Sequence, residues 1–204
     1  MKHFKIRLPI QLLAIVFICG ILLLTPVQIH AEEVPASNLE NWLNICETMG
    51  NNLVSKKFAY SNSRTKKTYS SAFARRRRSN CALYVSWCLQ QYGALKPGQT
   101  FYVRRSGSLH KNFKRWGGKV KVIRVKKKCS SVKLQPGDIV CWSRIAHCNI
   151  YAGRSSSGDR LWYDAGKGST YSGHSGSRFK NIGKQKLGYL NSKRISYLIR
   201  IKDL

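Results

Sequence analysis

The sequence predicts an α+β protein, with N-terminal helices packed on a central antiparallel β-sheet. Two observations carry this. Over residues 39–49 and again over 81–92 apolar side chains recur at three- and four-residue spacing, the period of one helix face. From Val120 onward, short apolar or alternating runs lie between turns rich in Gly, Pro and Ser, as strands do. Helices first and a strand meander after is the order of segregated layers.

Each element follows in turn. Lys2, Lys5 and Arg7 precede an apolar run from Leu8 to Leu24, then Pro26 and a small residue at Ala31. That is the layout of a signal peptide over residues 1–31, cleaved after Ala31, although a run of this length also suits an uncleaved anchor. Residues 32–204 are long enough for one domain with its own core, of which 32–58 form an N-terminal helical extension. Ser37-Asn38-Leu39-Glu40 matches a capping box, and Leu39, Trp42, Leu43, Cys46 and Met49 share one face of the helix it opens. Gly50 with Asn51 and Asn52 is expected to end or interrupt that helix. Residues 55–78 are basic and without a period, so they read as loop with one short helical turn.

The next helix is the best defined. Ser79 or Asn80 caps it, Gly93 closes it, and Cys81, Tyr84, Val85, Cys88, Leu89 and Tyr92 form its apolar stripe. Strands are expected at 120–125, at 139–142 after the turn Leu134-Gln135-Pro136-Gly137-Asp138, at 146–152, at 161–164 and, closing the sheet, at 195–201. Residues 166–188 read as a long Gly/Ser/Lys-rich surface loop.

Charge and cysteine content narrow the function. The formal charge is +29, and the leader holds only three of those cations. From Thr48 to Gly137 there are 22 Lys and Arg and no acid. Such a surface attracts polyanions. For an exported chain these are anionic wall polymers, peptidoglycan carboxylates and anionic membrane headgroups, and export argues against nucleic acid. Arg75 to Arg78 border a binding groove on one reading and form a solvated loop on another. Cys46, Cys81, Cys88, Cys129, Cys141 and Cys148 follow the leader. They contain no CxxC pair and no zinc-like spacing with His, so no metal is expected. Cys141 and Cys148 flank a hairpin and can face each other across it; the other pairings stay open.

Cys81 at a helix start is the candidate nucleophile. A thiol is mostly protonated at neutral pH, and a helix N-terminus favours the thiolate. The same N–H groups can hold the oxyanion of a tetrahedral intermediate. Thiol chemistry also needs a base and a group to orient it. Of the three histidines after the leader, His110 and His174 lie in loop-like sequence, whereas His147 lies in an expected strand. Downstream carboxylates are only Asp159, Asp164 and Asp203. Asp164 ends the strand expected to pair with that of His147, and an Asn or a backbone carbonyl is the alternative orienter. Taken singly, Cys81 and His147 read equally as inert core residues.

Three segments together resemble the NlpC/P60 and CHAP-type papain-like peptidoglycan hydrolases: Asn80-Cys81-Ala82-Leu83-Tyr84-Val85-Ser86-Trp87, Leu134-Gln135-Pro136-Gly137-Asp138-Ile139-Val140 and His147-Cys148-Asn149-Ile150-Tyr151-Ala152-Gly153. The resemblance spans roughly residues 60–166. It implies a papain-like fold, Cys81 as nucleophile, His147 as base, and a polar third residue matched here by Asp164. A Tyr upstream of the nucleophile lines the site in that family; Tyr60 or Tyr69 fits, without the usual Gly-Gly context. Asn80 and Ala82 stand where the family commonly has Asp and Ser. Tyr60, Asn80 and Ala82 are therefore the oxyanion and substrate-site candidates. The implied function is that of a secreted or wall-associated monomeric cysteine hydrolase, without cofactor, that cleaves an amide bond in peptidoglycan. The alternatives are a non-catalytic cationic wall- or membrane-binding protein on the same fold, and a thiol acyltransferase or amidase acting elsewhere.

Overall fold

Ser37 starts the first helix of the computed structural model, which describes residues 37–61, 68–75, 77–100, 119–166, 177–202 and 204. The expected signal peptide, His110, His174 and Asp203 lie outside these residues. In helix α1 (Asn38–Ser55) the capping box is complete: Ser37 Oγ accepts from the Glu40 N–H at 3.2 Å, and Glu40 Oε2 accepts from the Ser37 N–H at 2.8 Å. Contrary to expectation, Gly50 does not interrupt α1. A Cβ there would collide with the Ile182 side chain, so the glycine permits close packing inside a continuous helix.

The basic stretch after α1 holds more structure than its polarity predicts. Strand β1 (Ala59–Tyr60) pairs in parallel with β2 (Arg78–Ser79), with helix α2 (Tyr69–Arg75) between them in sequence. Two-residue strands leave no period in a sequence, which is why this segment reads as loop. Helix α3 (Cys81–Gln91) follows at once. It is buried all round from Cys81 to Leu89, not along one stripe, so it is the central helix.

Six strands form the main sheet: β3 (Val120–Lys128), β4 (Ile139–Trp142), β5 (Cys148–Arg154), β6 (Arg160–Tyr163), β7 (Gln185–Lys186) and β8 (Arg194–Ile201). Their order is β3-β8-β4-β5-β6-β7, all neighbours antiparallel. The last strand does not close the edge of a meander; it enters between β3 and β4. Its Ile195, Leu198, Ile199 and Ile201 are buried, which only an interior strand achieves on both faces. One face packs on α1 and α3 through Ile139, Ile150, Tyr163 and Ile199. The other is covered by Trp142, Tyr151, Trp162, Leu187 and Leu190. The α+β class expected from sequence is thus the observed one.

The Pro136-Gly137-Asp138 turn holds these layers together. Gly137 has φ +90°, and a Cβ there would strike Trp42 and Leu204. Its carbonyl accepts from Trp42 Nε1 at 3.2 Å. Buried Asp138 receives Arg200 Nε and Nη2 at 2.7 and 2.9 Å and the Gln135 N–H at 2.8 Å. The turn therefore ties α1 and β8 to the start of β4. Among the described residues no helix is long and apolar enough to cross a membrane.

Candidate active site

Asn80 decides where α3 begins. Its side-chain oxygen accepts from the Leu83 N–H at 3.0 Å, and its amide nitrogen donates to the Ser61 carbonyl at 2.9 Å. One end of the side chain caps the helix while the other fixes the segment that carries Tyr60. Both ends make a hydrogen bond, so Asn80 positions the helix start. Tyr60 pairs with Ser79 in the β1–β2 register, two residues before Cys81. Cys81 and Ala82 open the helix, where backbone N–H groups have no intrahelical acceptor. Tyr69 stacks on Phe58 in the core instead.

His147 lies not inside a strand but as the last residue of the turn that joins β4 to β5. The strand starts two residues later than expected, and this has a chemical consequence. A turn residue is held by its neighbours on both sides yet keeps an open edge, and the imidazole is 16% exposed. Its Nε2 is 2.8 Å from Oδ1 of Asp164, which is fully buried at the end of β6. Strands β5 and β6 pair as expected, with Ile150 opposite Tyr163, and this register carries Asp164 to the ring. Nδ1 is then the nitrogen left for the Cys81 thiol, with which the imidazole is in hydrogen-bond contact. Asp159, the other described downstream acid, is exposed and paired with Lys186 at 2.8 Å.

Cys81 is 95% buried, and its thiol also points to the Ala146 carbonyl at 3.9 Å. A hydrogen bond from the Cys148 thiol holds its pKa well below the usual thiol value; burial opposes this, and the charge and hydrogen bond of His147 reinforce it. Burial pushes the His147 imidazole down, but the Asp164 carboxylate and the Cys81 thiolate more than offset it, and its pKa lies well above the ordinary histidine value. The two shifts run in opposite directions, toward an ionised thiol and a protonated imidazole.

Two residues of the site give no sequence signal of their role. Cys148 stands directly opposite Cys141 across β4 and β5 and offers its S–H to Cys81. Burial, then the hydrogen bond and charge of Cys81, raise its own pKa, so Cys148 stays a protonated donor. Gly166 closes the other side of the ring. A Cβ there would overlap His147 Cε1 and approach both ring nitrogens at 2.9 Å. All six described cysteines are free thiols. Among the described residues no three His, Cys, Asp or Glu side chains are grouped to hold a metal.

No family model, no curated protein and no solved structure matches this chain.

Proposed function

We propose that the protein is an exported cysteine hydrolase of papain-like, NlpC/P60 type that cleaves an amide bond in peptidoglycan. The observation that supports this best is the Cys81–His147–Asp164 arrangement, with the thiol pKa lowered and the imidazole pKa raised. The buried Cys46 and Cys141 show the opposite shift, because burial favours the neutral thiol.

In this reading the Cys81 thiolate attacks the amide carbonyl carbon, and the oxyanion forms beside the first N–H groups of α3, with Tyr60 nearby. His147 passes its proton to the leaving nitrogen as the C–N bond breaks. Water then attacks the thioester, His147 takes a proton from it, and the acid product leaves with Cys81 restored. Asp164 holds the imidazole in the tautomer that both steps need. Neither step calls for a cofactor. The excess of cations keeps the enzyme, acting as a monomer, on anionic wall polymers or at anionic membrane headgroups rather than on nucleic acid.

Mass spectrometry of peptidoglycan digests tests the reading. The protein is expected to release fragments with a new amine and a new carboxyl terminus, and Cys81→Ala is expected to release none. Equal digestion by both overturns the role of Cys81, and digestion by neither overturns the hydrolase and leaves a cationic binding protein.

A further inference from the structure

Beside the thiols, on the same face of the sheet, lies a cleft of about 360 Å³ lined by Arg124, Lys126, Arg144 and Arg194. Ser143, Ser196 and Tyr197 complete its wall with hydroxyl groups. These residues come from β3, from the β4–β5 turn and from β8, and register brings them together. Arg124 stands opposite Tyr197, Tyr197 opposite Cys141, and Cys141 opposite Cys148. Residues directly opposite across a sheet share a face, so this row leads from the cleft to the thiol that touches Cys81. At roughly 4.8 Å per strand, Tyr197 is about 10 Å from Cys148. Ser143 and Arg144 belong to the turn that ends in His147.

Among the described residues the four cations have no acid of their own. None forms an ion pair with a carboxylate of the described residues. Arg194 is fixed by donation from Nη2 to the Lys126 carbonyl at 2.8 Å, which leaves its other N–H groups directed elsewhere. Four like charges around one concavity repel each other, and an anion in the concavity relieves this. Arginine forks match the geometry of carboxylate and phosphate oxygens, and hydroxyls add neutral donors. Arg77 and Arg78 do not contribute: Arg77 stacks on Phe73 at 4.8 Å, and Arg78 is exposed on β2, outside the lining.

We propose that this cleft is an anionic subsite of the Cys81 active site, binding a part of the substrate that carries two or more closely spaced oxyanions, as phosphate or as paired carboxylates. A single negative charge would leave most of the cationic wall uncompensated. The inference rests on the hydrolase reading for the word substrate, but the binding itself does not.

Calorimetric titration of the Cys81→Ala protein with pyrophosphate and, separately, with citrate tests it without any catalysis. Saturable one-to-one binding of at least one probe is expected, and the tighter probe identifies phosphate or carboxylate as the preferred group. Adding Arg124→Ala and Arg144→Ala is expected to weaken it about tenfold or more. Adding Lys96→Ala and Lys184→Ala, an equal loss of charge away from the cleft, is expected to change it less than about twofold. No saturable binding, or equal loss in the two pairs, overturns the subsite. With the active protein, the Arg124→Ala/Arg144→Ala pair is expected to raise KM for peptidoglycan and leave kcat unchanged. Binding without any hydrolysis sinks the hydrolase and keeps the cleft; hydrolysis without binding does the reverse.

Discussion

Helix α3 carries two buried cysteines two turns apart, Cys81 and Cys88, and their surroundings differ in kind. Cys88 meets Cys46 of α1 close to Tyr84, where the neighbours are thiols, phenols and hydrocarbon. Burial, then contact with Cys88, pushes Cys46 well above an ordinary thiol. Cys81 is nearly as buried, yet its pKa moves down. Both thiol regions hold a neighbouring S–H; the differences are one imidazole and a helix N-terminus. Burial alone therefore does not decide thiol chemistry; the charge and donors within reach do.

The most severe way to break this comparison is to remove the proposed nucleophile. Cys81→Ala is expected to lower kcat/KM by roughly 10³-fold or more with little change in thermal stability, read from muropeptide release and calorimetry. Iodoacetamide at pH 6 is expected to label Cys81 alone in the folded protein; labelling of Cys46 or Cys88 at a similar rate would contradict the separation drawn here.

Asp164→Asn comes next. It removes the carboxylate that raises the His147 pKa, and kcat is expected to fall roughly a hundredfold or more. The pH profile gives the sign. The active pair needs an ionised Cys81, so activity rises as pH passes the lowered thiol value. It also needs a protonated His147, so activity falls as pH passes the raised imidazole value. Losing Asp164 lowers the second value and draws the basic limb toward neutrality. A kcat loss with an unmoved basic limb would mean that Asp164 supports the fold and not the imidazole.

A smaller effect separates the donor from the nucleophile. Cys148→Ala removes the largest cause of the lowered Cys81 pKa, so the acid limb is expected to move up. Alkylation of Cys81 at pH 6 is expected to slow about tenfold, the size of one hydrogen bond to a charged group. An unchanged alkylation rate would leave His147 and the helix start as the whole cause.

Much of this site was legible because the chain offers few choices. Three histidines after residue 31 and a scarcity of acids left His147 and Asp164 as the pair to test against Cys81, and both lie at strand ends. What stayed hidden is set by long-range contact. Nothing local in Arg194 to Ile201 says that β8 enters between β3 and β4, because pairing partners are not adjacent in sequence. The cationic cleft was hidden for the same reason: its cations are spread over residues 124–194 and meet only through that insertion. Gly50 and Gly166 looked like loop or helix-breaking residues, but the space taken by Ile182 and by the His147 ring explains each. Cys148 read as a strand thiol, and only the approach of α3 makes it a donor.

The mildest expected effect tests the inert half of the comparison. Cys46 is fully buried in α1, and its backbone carbonyl, not its thiol, receives the Tyr84 hydroxyl at 2.7 Å. Cys46→Ala keeps that backbone acceptor and removes one sulfur from a packed site. The expected cost is about 1–2 kcal/mol of stability from the small cavity, with kcat/KM and both limbs of the pH profile unchanged. Denaturant unfolding and a pH–rate profile measure the two halves. If the profile moved with this substitution, the two thiol regions of α3 would be energetically coupled, and the lowered pKa of Cys81 would need a cause that reaches two turns down the helix.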